Sequence, residues 1–181
     1  MKLTLTATAN KMKSALIVSA SLFLFASCGN TEKTAAISPD TESKELPATQ
    51  KADKVSNALA FINDYVANSN NMANAKNIID WANSNQLSSE AFKTALKEII
   101  DAAFKEDAEM GLDSDPIYDA QDYPEKGFEL ASFDEKTNYL IVKGIGWFDF
   151  KITMKVVEEN GKWLVDGCGI VNIPEEKRME R

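Results

Sequence analysis

Apolar residues change their spacing once along this chain, from a helical period before about residue 111 to a two-residue period after Pro124. That switch confines the fold to helices and strands kept in separate parts of the chain. Val55, Ala58, Leu59, Ile62 and Val66 fall on one helical face, which Phe61 and Tyr65 widen. A shorter helical stretch carries Met72, Ala75, Ile78, Ile79 and Ala82, with Trp81 at its edge. In the third, Ser88 is placed as the cap and Leu87 and Phe92 as a hydrophobic staple. Phe92, Leu96, Ile99, Ile100 and Ala103 continue its stripe to a stop near Gly111.

Beyond Pro124 four strands are expected, near 127–133, 138–145, 148–158 and 162–171, in an antiparallel meander. Asn160-Gly161 suits a type I′ turn, whose two central positions both need positive φ, and pairs Glu159 with Lys162. In that register Val156 faces Val165, Met154 faces Gly167 and Ile152 faces Gly169, while Lys155 meets Asp166 and Thr153 meets Cys168. One sheet face then carries Phe148, Phe150, Ile152, Met154 and Val156 toward the helices. The other holds Val157, Leu164 and Ile170, too apolar to be left wholly in water. Gly167 and Gly169 mark a strongly bent sheet or a closely approaching helix. The expected fold class is α+β: three N-terminal helices on a curved, cone-like, four-stranded antiparallel sheet, in a single domain at 53–173 with a polar tail at 174–181.

Ahead of the domain lies a different kind of segment. Lys2, Lys11 and Lys13 precede an apolar run, Ala15 to Phe25, that is shorter than the roughly 20 residues a membrane-spanning helix needs. The run closes on Leu24-Phe25-Ala26-Ser27-Cys28, which resembles a bacterial lipoprotein signal. The resemblance implies removal of residues 1–27, a diacylglyceryl group on the Cys28 thiol, and further acylation of palmitate type. Two or more acyl chains hold a protein at a membrane surface. Residues 28–52 form the lipidated end and a tether rich in Thr, Ser, Glu, Lys and Ala. Flexible chain of that length has an r.m.s. span of about 25 Å. The expected location is the cell envelope, lipid-anchored to a membrane facing outside the cytoplasm, with the outer membrane favoured.

Loss of Lys2, Lys11 and Lys13 takes the formal net charge of −8 to −11. The remaining lysines alternate with acids, so nucleic acid is not an expected partner. The chain has no histidine, and lipidation of Cys28 leaves Cys168 as its one thiol. Ser-His-Asp triads, Cys-His pairs and Cys/His zinc sites are thereby excluded, and no cofactor is expected. Cys168 sits in the apolar run Trp163–Val171 and reads as a packed strand thiol.

One segment carries suggestive chemistry: Asp113-Ser114-Asp115-Pro116-Ile117-Tyr118-Asp119-Ala120-Gln121-Asp122-Tyr123-Pro124, with four aspartates in ten residues. Its prolines and spacing do not fit an EF-hand loop, and no metal is expected. Turn capping by the short acids is the structural reading. The binding reading places Asp115, Tyr118, Asp119, Gln121 and Asp122 at the mouth of a pocket closed by Tyr118, Tyr123 and Trp147. Together with Asn160-Gly161-Lys162-Trp163-Leu164-Val165, this segment resembles a family of uncharacterised envelope proteins common in Bacteroides-like bacteria. That resemblance, over Leu59–Ile173, implies the cone of cystatin-like and nuclear-transport-factor-two-like folds, with no chemistry to transfer.

The expected function is that of a membrane-anchored lipoprotein acting as a non-catalytic binding module for a small ligand or a protein partner. The alternatives are a carboxylate-dependent enzyme using Asp119 or Asp122 in the cone, and a structural or dimerising envelope protein that pairs through Val157, Leu164 and Ile170.

Overall fold

The computed structural model describes residues 48–180. The expected signal peptide, Cys28 and the tether as far as residue 47 lie outside the described residues. Three helices, α1 (Ala48–Asn70), α2 (Ile78–Ser84) and α3 (Glu90–Glu106), precede four strands: β1 (Phe128–Asp134), β2 (Tyr139–Gly144), β3 (Trp147–Glu159) and β4 (Lys162–Cys168). The strands pair antiparallel in the order β1-β2-β3-β4, giving the α+β class expected from the change of period. Among the described residues no helix is long and apolar enough to cross a membrane.

α1 begins within the stretch read as tether, so Ala48–Ala52 is helical. Tertiary contacts explain the extension: Lys51 pairs with Glu135, and Lys54 enters the core one turn later. The Lys54 Nζ donates to Asn138 Oδ1 at 2.8 Å and stands 4.1 Å from the centroid of the Trp163 ring. A buried ammonium is tolerable when a hydrogen bond and an aromatic face replace its water. Below Lys54 the buried residues Ala58, Phe61, Ile62, Tyr65 and Val66 form the expected stripe.

Three helix readings change. Met72 and Ala75 are exposed and precede α2, whose N-cap is Asn77, its side chain accepting from the Asp80 N–H. Trp81 lies inside the core, edge-on to Phe61 with centroids 5.1 Å apart, and not at its border. The cap of α3 is Ser89, which accepts from Phe92 N–H at 3.0 Å, and not Ser88. Ser88 is diverted because residues 87–89 run alongside β4: Val165 N–H donates to Leu87 O at 2.7 Å and Ser89 N–H to Val165 O at 3.0 Å. A helix cap and a closed sheet edge are thus built from adjacent residues.

Asn160 and Gly161 have φ of 53° and 76°, as a type I′ turn requires, and Glu159 pairs with Lys162. Val156 pairs with Val165, after which the expected register fails. A β-bulge makes Gly167 the partner of Lys155 and Cys168 that of Met154, in place of Gly167 for Met154, Gly169 for Ile152 and Cys168 for Thr153. The extra residue is Asp166, whose carboxylate still reaches Lys155 Nζ at 3.0 Å. A second correction concerns Phe148, expected on the core face but 60% exposed. Lys151 pairs with Lys143 and Trp147 with Gly144, so residues 148–150 are extra on β3 and the alternation is lost there.

Between the layers Phe61, Ile62, Phe92 and Leu96 from the helices meet Leu140, Val142, Ile152, Met154, Val156 and Val165 from the sheet. All of these are essentially inaccessible to solvent. On the outer face residues 174–178 cross the sheet. Thr153 Oγ1 donates to Lys177 O at 2.6 Å, Arg178 Nε to Ile173 O at 3.0 Å, and Lys177 Nζ stands 5.1 Å from the Tyr139 ring centroid. This crossing buries Thr153, which faces away from the core.

Candidate functional site

The Asp113–Pro124 segment joins the helices to the sheet, and its acids have separate fates. Asp115 begins an Asx-type turn before Pro116, the arrangement its sequence context favours. Its Oδ1 accepts from Ile117 N–H at 2.8 Å and Tyr118 N–H at 2.9 Å. Its Oδ2 accepts from the hydroxyl of Tyr65 in α1 at 2.5 Å. Burial pushes the Asp115 carboxyl above the ordinary carboxylate range, opposed by the Tyr65 hydroxyl and then by the Tyr118 and Ile117 amides. The same burial, reinforced by the charge of Asp115, raises the Tyr65 phenol well above its usual range. The Tyr118 phenol is raised chiefly by burial as well.

Tyr118 is buried, its hydroxyl 3.0 Å from Ser69 Oγ, and its ring lies parallel to Tyr123 with centroids 4.8 Å apart. Tyr123 in turn donates to Asn70 Oδ1 at 3.0 Å. Tyr65 and Ser69 stand one helical turn apart on α1 and hold Asp115 and Tyr118 in place. Sequence reasoning put Tyr65 on the core stripe alone and gave Ser69 no role. A hydroxyl at each of two positions four apart on an apolar stripe was the signal available, and only tertiary contact gives it meaning.

From the sheet side the same segment is gripped by β4 and the residues after it. The buried thiol of Cys168 lies 3.5 Å from Ile117 O, and Ile170 N–H donates to Pro116 O at 2.9 Å. Gly169 has φ +62°, and a Cβ there would stand 2.4 Å from both Pro116 O and Ile117 O. The close neighbour at Gly169 is thus this loop and not a helix, whereas at Gly167 a Cβ would stand 2.7 Å from Ile173 Cδ1 and 3.1 Å from the Val171 and Asn172 carbonyl oxygens. Burial also drives the Cys168 thiol well above its ordinary range, in keeping with a packed residue.

Of the remaining candidate residues, Gln121 and Asp122 lie at the surface. Asp119 takes a left-handed conformation, φ 54°, and is partly buried. Gln121 is exposed and donates through Nε2 to Asp113 O at 3.2 Å. Asp122 is exposed and shares an open surface groove with Tyr123, Lys126, Ile145 and Trp147. Trp147 does not close a pocket: it is 46% exposed and packs on Phe150 with centroids 4.9 Å apart. The structure thus brings Asp115 and Tyr118 together inside the fold and places Gln121 and Asp122 outside it. Among the described residues no three Asp, Glu or Cys side chains converge as a metal site.

The arrangement is a polar and aromatic staple between α1, the loop and β4, with its carboxylate accepting from three donors. Comparisons of the chain with protein-family models, with curated proteins and with solved structures returned no match.

Proposed function

We propose that this chain is a lipid-anchored lipoprotein of the cell envelope, acylated at Cys28, whose domain is a non-catalytic binding module for a protein partner engaged through its surface. The outer membrane is the proposed site. One observation carries the binding reading: the space between helices and sheet is filled by side chains such as Phe61, Phe92, Leu140, Ile152 and Met154, each at most 1% exposed. A ligand or substrate enclosed in a cone has no room there. The enzyme alternative also requires a buried carboxylate with an open lone pair. Asp115 is partly buried with its carboxylate engaged by Tyr65, Ile117 and Tyr118, and of the two acids named for catalysis Asp119 is partly buried and Asp122 is exposed.

Recognition at the exterior suits a basic partner, because the acids outnumber the bases and Asp113, Gln121, Asp122 and Glu125 all face solvent. The anchor is tested by feeding cells an alkyne analogue of palmitate. Label is expected on the parent chain and absent from Cys28→Ala. Label that persists on the alanine chain rejects the anchor. For the partner, crosslinking in intact cells should give one adduct that is lost when Asp113 and Asp122 are changed to Lys. An unchanged adduct pattern rejects recognition through this loop.

A further inference from the structure

Among the described residues seven large hydrophobic side chains are exposed, and three of them fall within the four-residue span Ile145–Phe148. Ile145 is 41% exposed, Trp147 46% and Phe148 60%, all at the turn between β2 and β3. The support beneath them is firm. Ile145 N–H donates to Gly127 O at 2.9 Å, and Gly144 is packed so closely on Pro124 that a Cβ there would lie 2.5 Å from Pro124 Cγ. The loss of alternation at residues 148–150 turns Phe148 outward. Two ammonium groups stand at the rim. Lys143 Nζ is 5.3 Å from the Phe148 centroid and 3.2 Å from Glu129 Oε1, and Lys126 reaches to 3.7 Å of the position a Cβ on Gly146 would take. A rigid knob of Trp, Phe and Ile edged by lysines is matched by the headgroup layer of a bilayer, where amphipathic rings and snorkelling lysines are both satisfied.

We propose that the Ile145–Phe148 turn docks onto the lipid surface to which Cys28 tethers the chain, so that the domain lies against the bilayer. The inference rests on the lipid-anchor reading above. Chain length permits the contact. The N-terminal end of α1 is held beside the β1–β2 turn through Lys51–Glu135 and Lys54–Asn138, whereas its C-terminal half meets Phe128 and Glu125 through Asn63 and Asn70. The β2–β3 turn is therefore at the far end of α1, a helix of 23 residues and about 35 Å in length. The 20 residues from Cys28 to the start of α1 extend to at most about 66 Å, so the tether can run the length of the domain. Tethering also supplies a high effective concentration, under which a knob of three side chains suffices. Asp122, Glu125, Glu129 and Asp149, all exposed nearby, outnumber the two lysines, so the contact rests on the apolar side chains and stays at headgroup depth. Docking should for this reason depend little on salt.

The test uses the full chain, processed in a bacterium and reconstituted into vesicles of mostly phosphatidylethanolamine with a minor share of phosphatidylglycerol, some acyl chains brominated near the headgroup. Trp147 is the reporter, because Trp81 is buried and Trp163 stands at the opposite end of α1 beside Lys54. Bromine quenching and a blue shift are expected in the parent, and both should be lost from Trp147→Phe. A second variant, Ile145→Asp with Phe148→Asp, changes exposed side chains only and should lose the quenching with an unchanged circular dichroism melt. Mass spectrometry reports acylation separately. An acylated chain whose Trp147 stays unquenched and open to acrylamide overturns the docking and leaves the anchor standing. A Trp147 shielded from acrylamide but not reached by bromine means that a protein or a second copy covers the turn, which also overturns it. An unacylated chain overturns both readings.

Discussion

Replacing Asp115 with alanine removes one acceptor group from three donors at once: the Tyr65 hydroxyl at 2.5 Å and the amides of Ile117 and Tyr118 at 2.8 and 2.9 Å. Hydrogen bonds to a charged group contribute about 1.5–3 kcal/mol each, and a buried donor left without an acceptor costs about 1–3 kcal/mol. Members of one network do not add in full, so the expected loss is about 3–5 kcal/mol, large for a single substitution. In a domain of this size that corresponds to a fall in Tm of roughly 10–20 °C. Asp115→Asn keeps Oδ1 for the two amides, and the Tyr65 hydroxyl can rotate to accept from the new amide, so its cost should be about 1–2 kcal/mol. Urea unfolding followed by circular dichroism, on the chain without residues 1–27, measures both.

The pH dependence gives the sharper check. Burial holds the folded Asp115 carboxyl above its ordinary range. The folded state then binds the proton more readily than the unfolded one. Stability from this group is greatest in acid and is lost as pH rises from the unfolded value, about 4, through the raised folded value. Asparagine does not titrate, so the stability gap between parent and Asp115→Asn should narrow as pH rises across that window. A gap that widens with pH would show that the fold favours the charged carboxylate and that the three donors outweigh desolvation. An alanine variant costing less than about 1 kcal/mol would refute the staple itself.

Other substitutions probe the same core from other sides. Gly169→Ala introduces a Cβ 2.4 Å from two carbonyl oxygens at φ +62°, so a loss of more than about 3 kcal/mol is expected, and a melt within about 0.5 kcal/mol of the parent would contradict the close approach. Lys54→Met keeps the buried stem but removes the contact with Asn138 and the Trp163 ring, for a cost of about 1–2 kcal/mol in urea unfolding; a variant more stable than the parent would show that burying the ammonium costs more than its partners return. Cys168 should resist a disulfide reagent near neutral pH and react fully in denaturant, since burial drives its thiol up; prompt reaction of the native protein would contradict its packing.

The large-scale order of this fold is written in patterns that a sequence displays directly. The stripe Ala58, Phe61, Ile62, Tyr65, Val66 and the Asn160-Gly161 turn each depend on near neighbours, so local chemistry announces them. The departures arise where one residue is added or where distant segments meet. Asp166 and residues 148–150 are extra residues within their strands, and alternation counted from the turn cannot reveal them. For the candidate site the sequence singled out the loop but not how its acids divide between the packed cluster and the surface. Asp115 and Asp122 look alike in sequence, and only Tyr65, 50 positions earlier, makes one of them an interior group. Lys54 was hidden by its charge: burial of a lysine depends on Asn138 and Trp163, which come from the β1–β2 turn and from β4.

The staple has a consequence for how the chain acquires its fold. Asn57 of α1 donates to Trp163 O, a partner 106 residues later, and Gly169 and Ile170 close on the Pro116–Ile117 carbonyls from near the end of the domain. Contacts so distant along the chain make folding slow, because the intervening chain must be ordered before they are gained. α1 emerges first from the ribosome, yet the surface it packs against is completed only when β4 has been made. Until then its apolar stripe has no sheet to cover it, so the helical half of the chain waits on its last strand for the surface that buries it.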